Sequence, residues 1–354
     1  GVSFAELHER GIDAVVARMN LAFKTPLRSG DSFASRLALR KEGIKYVFIQ
    51  DIFRLPDNKP VLRSTVEAVC LINGLLSDCE ELNAVFTKYF KDGHAMREEE
   101  LKYALALTRL RGVSQNAALK LYDHYGTAQG VFENRKEVQG KVGEALADWT
   151  EVLLWAEKEL EFCEKNRIKV FLRHDEDYPA RLNECDDAPL VFYYRGNANL
   201  NARHVISIVG TRRITEYGRT VCQTFLRDLQ ALSPECLVVS GLAYGVDIHA
   251  HRACLEAGLP TVGILAHGLD RIYPALHRTT AAQMLNHGGL LTEYPTMTIP
   301  DKGNFIRRNR IVAGLSEATV VVESAEHGGA LVTANLAVGY NRDVFAFPGR
   351  AFDQ

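Results

Sequence analysis

Gly210-Thr211-Arg212-Arg213 follows a short apolar run, Val205–Val209, and leads through Tyr217-Gly218-Arg219 into a second apolar stretch. A strand, a glycine turn and a helix start in that order make an anion cradle. Unpaired N–H groups and the positive end of the helix dipole converge there, and Arg212 and Arg213 add full charges. The competing reading is a tight turn with solvated arginines. Ser240-Gly241-Leu242-Ala243-Tyr244-Gly245 repeats the arrangement, and His327-Gly328-Gly329-Ala330 opens a third glycine-bearing helix start. Between them lies the most basic stretch, Lys302-Gly303-Asn304-Phe305-Ile306-Arg307-Arg308-Asn309-Arg310. Phosphates pair with Lys or Arg while a base stacks on an exposed ring, so cations around Phe305 suit a single nucleic-acid strand. The alternative is a solvated charged face with Phe305 in the core.

Other chemistries have weaker signals. Asp247 and His251 stand at i and i+4 on one helix face, a spacing that could hold a metal. No third ligand appears, so Asp247 is read as a helix cap and no metal is expected. There is no G-x-G-x-x-G phrase and no Walker lysine, and no cofactor is expected. The seven cysteines are widely spaced without a C-x-x-C pair, which predicts buried free thiols. Net charge over 354 residues is -2, so a polyanion would have to be held by a local patch. No apolar run approaches the roughly 18 residues of a spanning helix, and residues 1–25 lack signal-peptide order. A cytoplasmic protein without membrane contact is expected.

These residues need elements to position them. From Ile168 onward, apolar runs at 169–172, 190–194, 205–209, 237–240, 261–265, 289–292, 319–323 and 344–347 alternate with helix-length segments. Strands apolar throughout are buried on both faces, which predicts an α/β doubly wound, mostly parallel sheet in residues 168–354. Ligands of such sheets sit beyond the carboxyl ends of the strands. Residues 96–167 read as a small helical domain. Met96 opens a helix with acids in its first turn, and Arg111-Gly112-Val113-Ser114 separates the next two, with Ser114 as a cap. That turn is either a helix-hairpin-helix contact to phosphate or plain helical packing. Residues 1–92 alternate as antiparallel strands at 33–39, 45–55 and 61–72 after a short helix at 4–11, with turns at Lys41 to Gly43 and Pro56-Asp57-Asn58. Asp92-Gly93-His94-Ala95 is a polar break between blocks.

The first block, through MNLAFKTPLRSGD (19–31), resembles the later part of a hotdog-fold acyl-CoA thioesterase of the 4-hydroxybenzoyl-CoA type. That family keeps its catalytic residues near the start of a central helix, inside which this sequence begins. The resemblance therefore implies a partial α+β fold and no catalytic residue here; a plain antiparallel sheet of unknown use is the other reading. A genuine fusion, a readthrough or an assembly error would each account for its presence.

The phrases VGTRRITEYGR (209–219), SGLAYGVDIHAH (240–251), GLDRIYP (268–274), TEYP (292–295), FIRRNRIVAGLS (305–316), GGALVTANLA (328–337) and VFAFPGR (344–350) resemble, in order and spacing, the DNA processing protein A (DprA/Smf) family. The resemblance runs from Met96 to Gln354. It implies an extended Rossmann domain after a helical, SAM-like domain, binding to single-stranded DNA, homodimerisation, RecA loading during natural transformation, and no catalysis. By motif, Gly210, Thr211, Arg212 and Arg213 would hold a phosphate, Ser240 and Gly241 would line the second cradle, and Lys302 and Phe305 would meet the strand. Arg307 and Asn309 would complete or brace the pocket. Thr211 stands where many members have Ser, and Gly328-Gly329-Ala330 replaces a Ser-Gly-Ser phrase, removing two hydroxyl donors. The family's next Gly-Cys-Asn phrase and a winged-helix tail are not expected, the sequence stopping at Gln354. The rival enzyme reading is a phosphoribohydrolase of the lysine-decarboxylase-like family, but Gly328-Gly329 lacks that family's proline and following acid.

Overall fold

The computed structural model of the protein describes residues 4–55, 59–86, 93–142 and 149–349. Pro56-Asp57-Asn58, Asp92 and Arg350 lie outside them. Contacts divide the chain into two units, Gly1–Leu153 and Leu154–Gln354, the division falling inside the helix Trp149–Lys165. Among the described residues no helix is long and apolar enough to cross a membrane.

The first unit is built on β1 (Ile12–Phe23), β2 (Ser32–Glu42), β3 (Lys45–Leu55), β4 (Lys59–Ile72) and β5 (Leu75–Ser77). All pair antiparallel in the order β1-β4-β3-β2, with β5 folded back onto β4. Asn73 and Gly74 both take positive φ, the geometry a two-residue hairpin turn requires. One face buries Leu39, Tyr46 and Cys70 against Leu7 and Leu82 of the flanking helices. β1 was not expected as a strand. Only Ile12 is buried and Ala14–Phe23 are all exposed, so no alternation of buried and solvent-facing residues marks the strand, and its register with β4 also shifts between Val16 and Arg18. The helices Gly93–Arg109, Gln115–Tyr125, Ala128–Glu133 and Arg135–Val142 follow. The first starts before Met96. Ser114 caps the second as expected, its side chain accepting from Ala117 N at 3.2 Å, and Gly126 ends it at φ 79° with its N–H on the Tyr122 carbonyl.

The second unit is a mixed α/β sheet of eight strands: β6 (Lys169–Leu172), β7 (Val191–Gly196), β8 (Val205–Val209), β9 (Leu237–Ser240), β10 (Thr261–Ile264), β11 (Gly288–Thr292), β12 (Ala318–Val321) and β13 (Asp343–Ala346). The order is β13-β12-β8-β9-β10-β11-β7-β6, parallel from β13 through β11 and antiparallel for β7 and β6. Successive residues serve opposite faces. Val205, Val209, Val239 and Val321 pack with Ile311 and Ala334 on one side, while Ile208, Val238 and Val320 pack with Leu226 and Ala250 on the other. Such double burial explains why the central strands are mostly apolar, whereas the edge strand β13 is exposed throughout. The buried hydroxyls among them are satisfied: Ser207 Oγ donates to Thr319 Oγ1 at 2.8 Å on the neighbouring strand, and Thr261 and Thr292 donate to the Val238 and Leu265 carbonyls at 2.9 and 3.2 Å. The chain runs outward from β8 through β11 and then returns to lay β12 on the other side of β8. The strand order therefore reverses between β8 and β12, and the carboxyl ends of these strands are where ligands of doubly wound sheets bind. All seven cysteines are buried free thiols.

Candidate nucleic-acid interface

Three turns leave the carboxyl edge at this reversal, after β8, β9 and β12, and one residue stitches them together. Thr211 N donates to the Glu323 carbonyl at 2.7 Å, and Val246 N donates to the Thr211 carbonyl at 3.1 Å. The turn after β8 is thereby fixed to both neighbours. Gly245 passes so near Thr211, at φ 79°, that a Cβ there would run into the Thr211 carbonyl. Thr211 Oγ1 accepts from Arg213 N at 3.1 Å, so the hydroxyl shapes the loop that carries Arg212 and Arg213, both of which are exposed. Gly210 is tight for the same reason: a Cβ would meet Val246 at 2.7 Å.

The first cradle differs from the sequence expectation in its anion. The helix Glu216–Leu232 is capped by Thr215, whose side chain accepts from Gly218 N. The Glu323 carboxylate accepts from Thr215 N at 2.9 Å and from Thr215 Oγ1. An internal carboxylate thus already meets the positive helix end, and the exposed cations of this turn are Arg212 and Arg213. Glu323 lies 108 residues from Thr215, beyond the reach of any local pattern.

In the second cradle Ser240 is fully buried and donates from Oγ to the Ile208 carbonyl at 2.6 Å, bracing β9 against β8 instead of facing a ligand. The cap reading of Asp247 also changes: Gly245 is the N-cap, and Asp247 sits in the first turn, its Oδ2 accepting from Ala243 N at 3.3 Å. Gly241 is required by packing, because a Cβ would lie 2.5 Å from Asp247 Oδ2 and against the Arg308 guanidinium. Those two groups are a buried opposite-charge pair on either side of one glycine. Burial pushes Asp247 up and Arg308 down from their ordinary ranges, and each charge opposes the shift of the other. Arg308 Nη1 also donates to the Gly241 carbonyl at 2.7 Å and to the Ile264 carbonyl, and Nε to Asn309 Oδ1 at 3.2 Å. Asn309 is therefore a brace for Arg308. His251 does not join Asp247: its Nδ1 contacts Thr261 Oγ1 at 2.7 Å, and burial pushes its pKa down to about 3. Among the described residues no three His, Cys, Asp or Glu side chains converge as a metal site.

The third turn leads into the helix Gly329–Gly339, with Gly328 as N-cap lacking a side-chain cap bond. Gly328 is half-buried beside Ser324, and Gly329 faces open space.

The basic stretch becomes the helix Lys302–Leu315, capped by Asp301, which accepts from Asn304 N at 3.0 Å. Helical periodicity sorts its cations. Lys302 and Arg307 are exposed, with Arg307 donating to Asn304 Oδ1 at 3.1 Å, while Arg308 and Arg310 turn inward. Arg310 pairs with the buried Glu293 carboxylate. Phe305 is half-buried where these elements meet. The Arg212 guanidinium lies over its ring at 5.5 Å, that of Arg308 at 5.9 Å, and the Tyr273 ring at 6.0 Å. The structure thus brings Arg212 and Phe305 together although 93 positions separate them in sequence. Arg308, Glu323 and Tyr273 carry no individual role in the sequence reading, although Arg308 lies in the basic stretch 302–310 and Tyr273 in the phrase 268–274.

The carboxyl edge of this mixed α/β sheet thus presents the exposed Arg212 guanidinium beside the Phe305 ring, with the buried Arg308 beside it as well. The chain belongs to the DNA recombination-mediator protein A family, whose model matches residues 169–354. Protein Smf of Synechocystis is 34% identical over 267 residues, covering 72% of this chain and 66% of the relative. The DNA processing protein DprA of Bacillus subtilis is 40% identical over 177 residues, 50% of this chain and 59% of the relative. The X-ray structure of DprA from Streptococcus pneumoniae superposes with TM-score 0.56 at 28% identity, covering 71% of this chain and 88% of that one. The chain spans less than two thirds of the length of these two curated relatives.

Proposed function

We propose that the Leu154–Gln354 unit binds single-stranded DNA along the carboxyl edge of its sheet, as a non-catalytic module of DNA processing and recombination. The observation that carries this reading is the exposed Arg212 guanidinium held over Phe305, with Lys302 on the same helix as that ring. Cation and aromatic side by side supply what a flexible strand offers: a phosphate and an unstacked base. Gly210, Thr211 and Arg213 shape or extend the phosphate contact, Arg307 extends it along the helix, and Gly328 and Gly329 offer backbone to a further phosphate. Ser240, Gly241 and Asn309 act indirectly, by holding the turn and Arg308. The family description as a recombination mediator favours delivery of the strand to RecA by a cytoplasmic homodimer during natural transformation. The finer divisions of the chain belong to the same proposal: an extended Rossmann domain over 168–354, a SAM-like helical domain over 96–167 and a partial hotdog sheet over 1–92. The antiparallel order β1-β4-β3-β2 with helices on one face is in keeping with the last.

Photocrosslinking with a halogenated oligodeoxythymidine and peptide mapping tests the placement. Adducts are expected in peptides containing Arg212 and in the helix Lys302–Leu315. Adducts confined to the first unit would overturn it.

A further inference from the structure

Phe305 is not the most accessible ring at this edge. It is half-buried and shares its surroundings with two guanidiniums, Arg212 and Arg308, so a base reaching it must displace Arg212 or approach from the side. Tyr273, whose centroid lies 6.0 Å from that of Phe305 with planes at 52°, is 48% exposed. Its backbone is held. Tyr273 N donates to Nε2 of the buried His267 at 3.3 Å, which leaves the proton of that ring on Nδ1, where it donates to the Gly268 carbonyl at 2.9 Å. The same loop is tied at its start by Gly268 N to the Thr298 carbonyl at 3.3 Å, and by Met297 N to Asp270 Oδ1 at 3.1 Å. A ring that is exposed while its main chain is anchored loses little freedom when it receives a flat ligand.

We infer that Tyr273 is the outer stacking platform of this edge, receiving a nucleobase on its exposed side while Arg212 takes an adjacent phosphate and Phe305 fixes the direction of that guanidinium. The inference rests on the single-strand reading above and names a contact that reading lacks. It makes the aromatic and the ionic contributions separable, because the base belongs to Tyr273 and the phosphate to Arg212.

The test compares the intact chain with Tyr273→Ala and Tyr273→Phe on two probes of equal length, oligodeoxythymidine and an oligonucleotide whose central sites are abasic. On oligodeoxythymidine, Tyr273→Ala is expected to lose about 5- to 150-fold in affinity, the equivalent of one stacked base at ~1–3 kcal/mol. Tyr273→Phe should bind as the parent, and the salt slope and melting temperature of both should be unchanged. On the abasic probe, Tyr273→Ala and the parent should bind alike. Undiminished binding of oligodeoxythymidine by Tyr273→Ala, or an equal loss on both probes, would overturn the inference. If Tyr273→Ala melts early, Tyr273→Leu, which keeps side-chain bulk without an aromatic face, carries the same expectation. Failure of the parent chain to bind either probe overturns the single-strand reading itself, a distinct result.

Discussion

Arg308→Ala is expected to destabilise the Leu154–Gln354 unit by about 3–5 kcal/mol, the usual cost of removing one member of a buried charge pair. The substitution strips the Gly241 and Ile264 carbonyls of their donor and leaves Asp247 buried without its compensating cation. With roughly 2–4 °C per kcal/mol for a unit of this size, its melting transition should fall by about 6–20 °C. Asp247 would then favour its neutral form, since burial already pushes its pKa upward and the charge that opposed that shift is gone. For a carboxylate with a folded pKa above the unfolded one, stability is greatest at low pH and declines as pH rises through the folded value. The Arg308→Ala protein should therefore recover stability as pH is lowered toward the carboxylate range. Replacing both partners, as Asp247→Leu with Arg308→Met, should cost less than the sum of the single changes. An Arg308→Ala transition unmoved from the parent would mean that the pair across Gly241 does not hold these turns.

Arg212→Ala should have the reverse signature, full stability with reduced affinity. Arg212 is exposed and its loop is held by the backbone of Thr211, so little of the fold depends on its guanidinium. Losing one charge-assisted contact should cost ~1.5–3 kcal/mol of binding across all sequences and flatten the log–log salt dependence by about 0.7 to 1. Glu323 provides an internal control. Its carbonyl and carboxylate hold the two ends of the segment 211–215, so Glu323→Ala should weaken binding by letting Arg212 wander. In an Arg212→Ala background the same change should add nothing, because the group it positions is gone. Additive losses in the double variant would show that Glu323 acts apart from Arg212, and an unaltered slope in Arg212→Ala would remove that residue from the phosphate path.

The two halves of the chain differ in how much their sequences disclose. The strands of the second unit are short apolar runs closed by glycine or polar turns, and the runs at 205–209 and 237–240 fold as β8 and β9 to the residue. Burial on both faces favours an apolar run, with a serine admitted where its hydroxyl finds a partner on the next strand. β1 was illegible because it is exposed from Ala14 to Phe23, so burial imposes no two-residue period on it, and its register also shifts between Val16 and Arg18. At the candidate site, Arg212, Lys302 and Phe305 could be singled out, and Arg212 does lie over the Phe305 ring, because charge and aromaticity are properties of single residues in a run. Ser240, Arg308 and Glu323 could not be assigned correctly. Whether a hydroxyl faces solvent or the next strand, which of two adjacent arginines turns inward, and which acid meets a distant helix start are settled by packing between segments far apart in sequence.

Affinity of the intact chain for a single strand and for the matching duplex, measured side by side over a salt series, tests the central claim most directly. The carboxyl edge offers cations next to Phe305 and Tyr273, and a duplex keeps its bases stacked away from both rings. Single-strand binding should therefore be tighter at every salt concentration, falling along a straight log–log line, and the preference should persist at high salt, where the ionic contribution has been screened. Equal affinity for the two forms, or a preference that disappears once salt has removed the charge contribution, would contradict it.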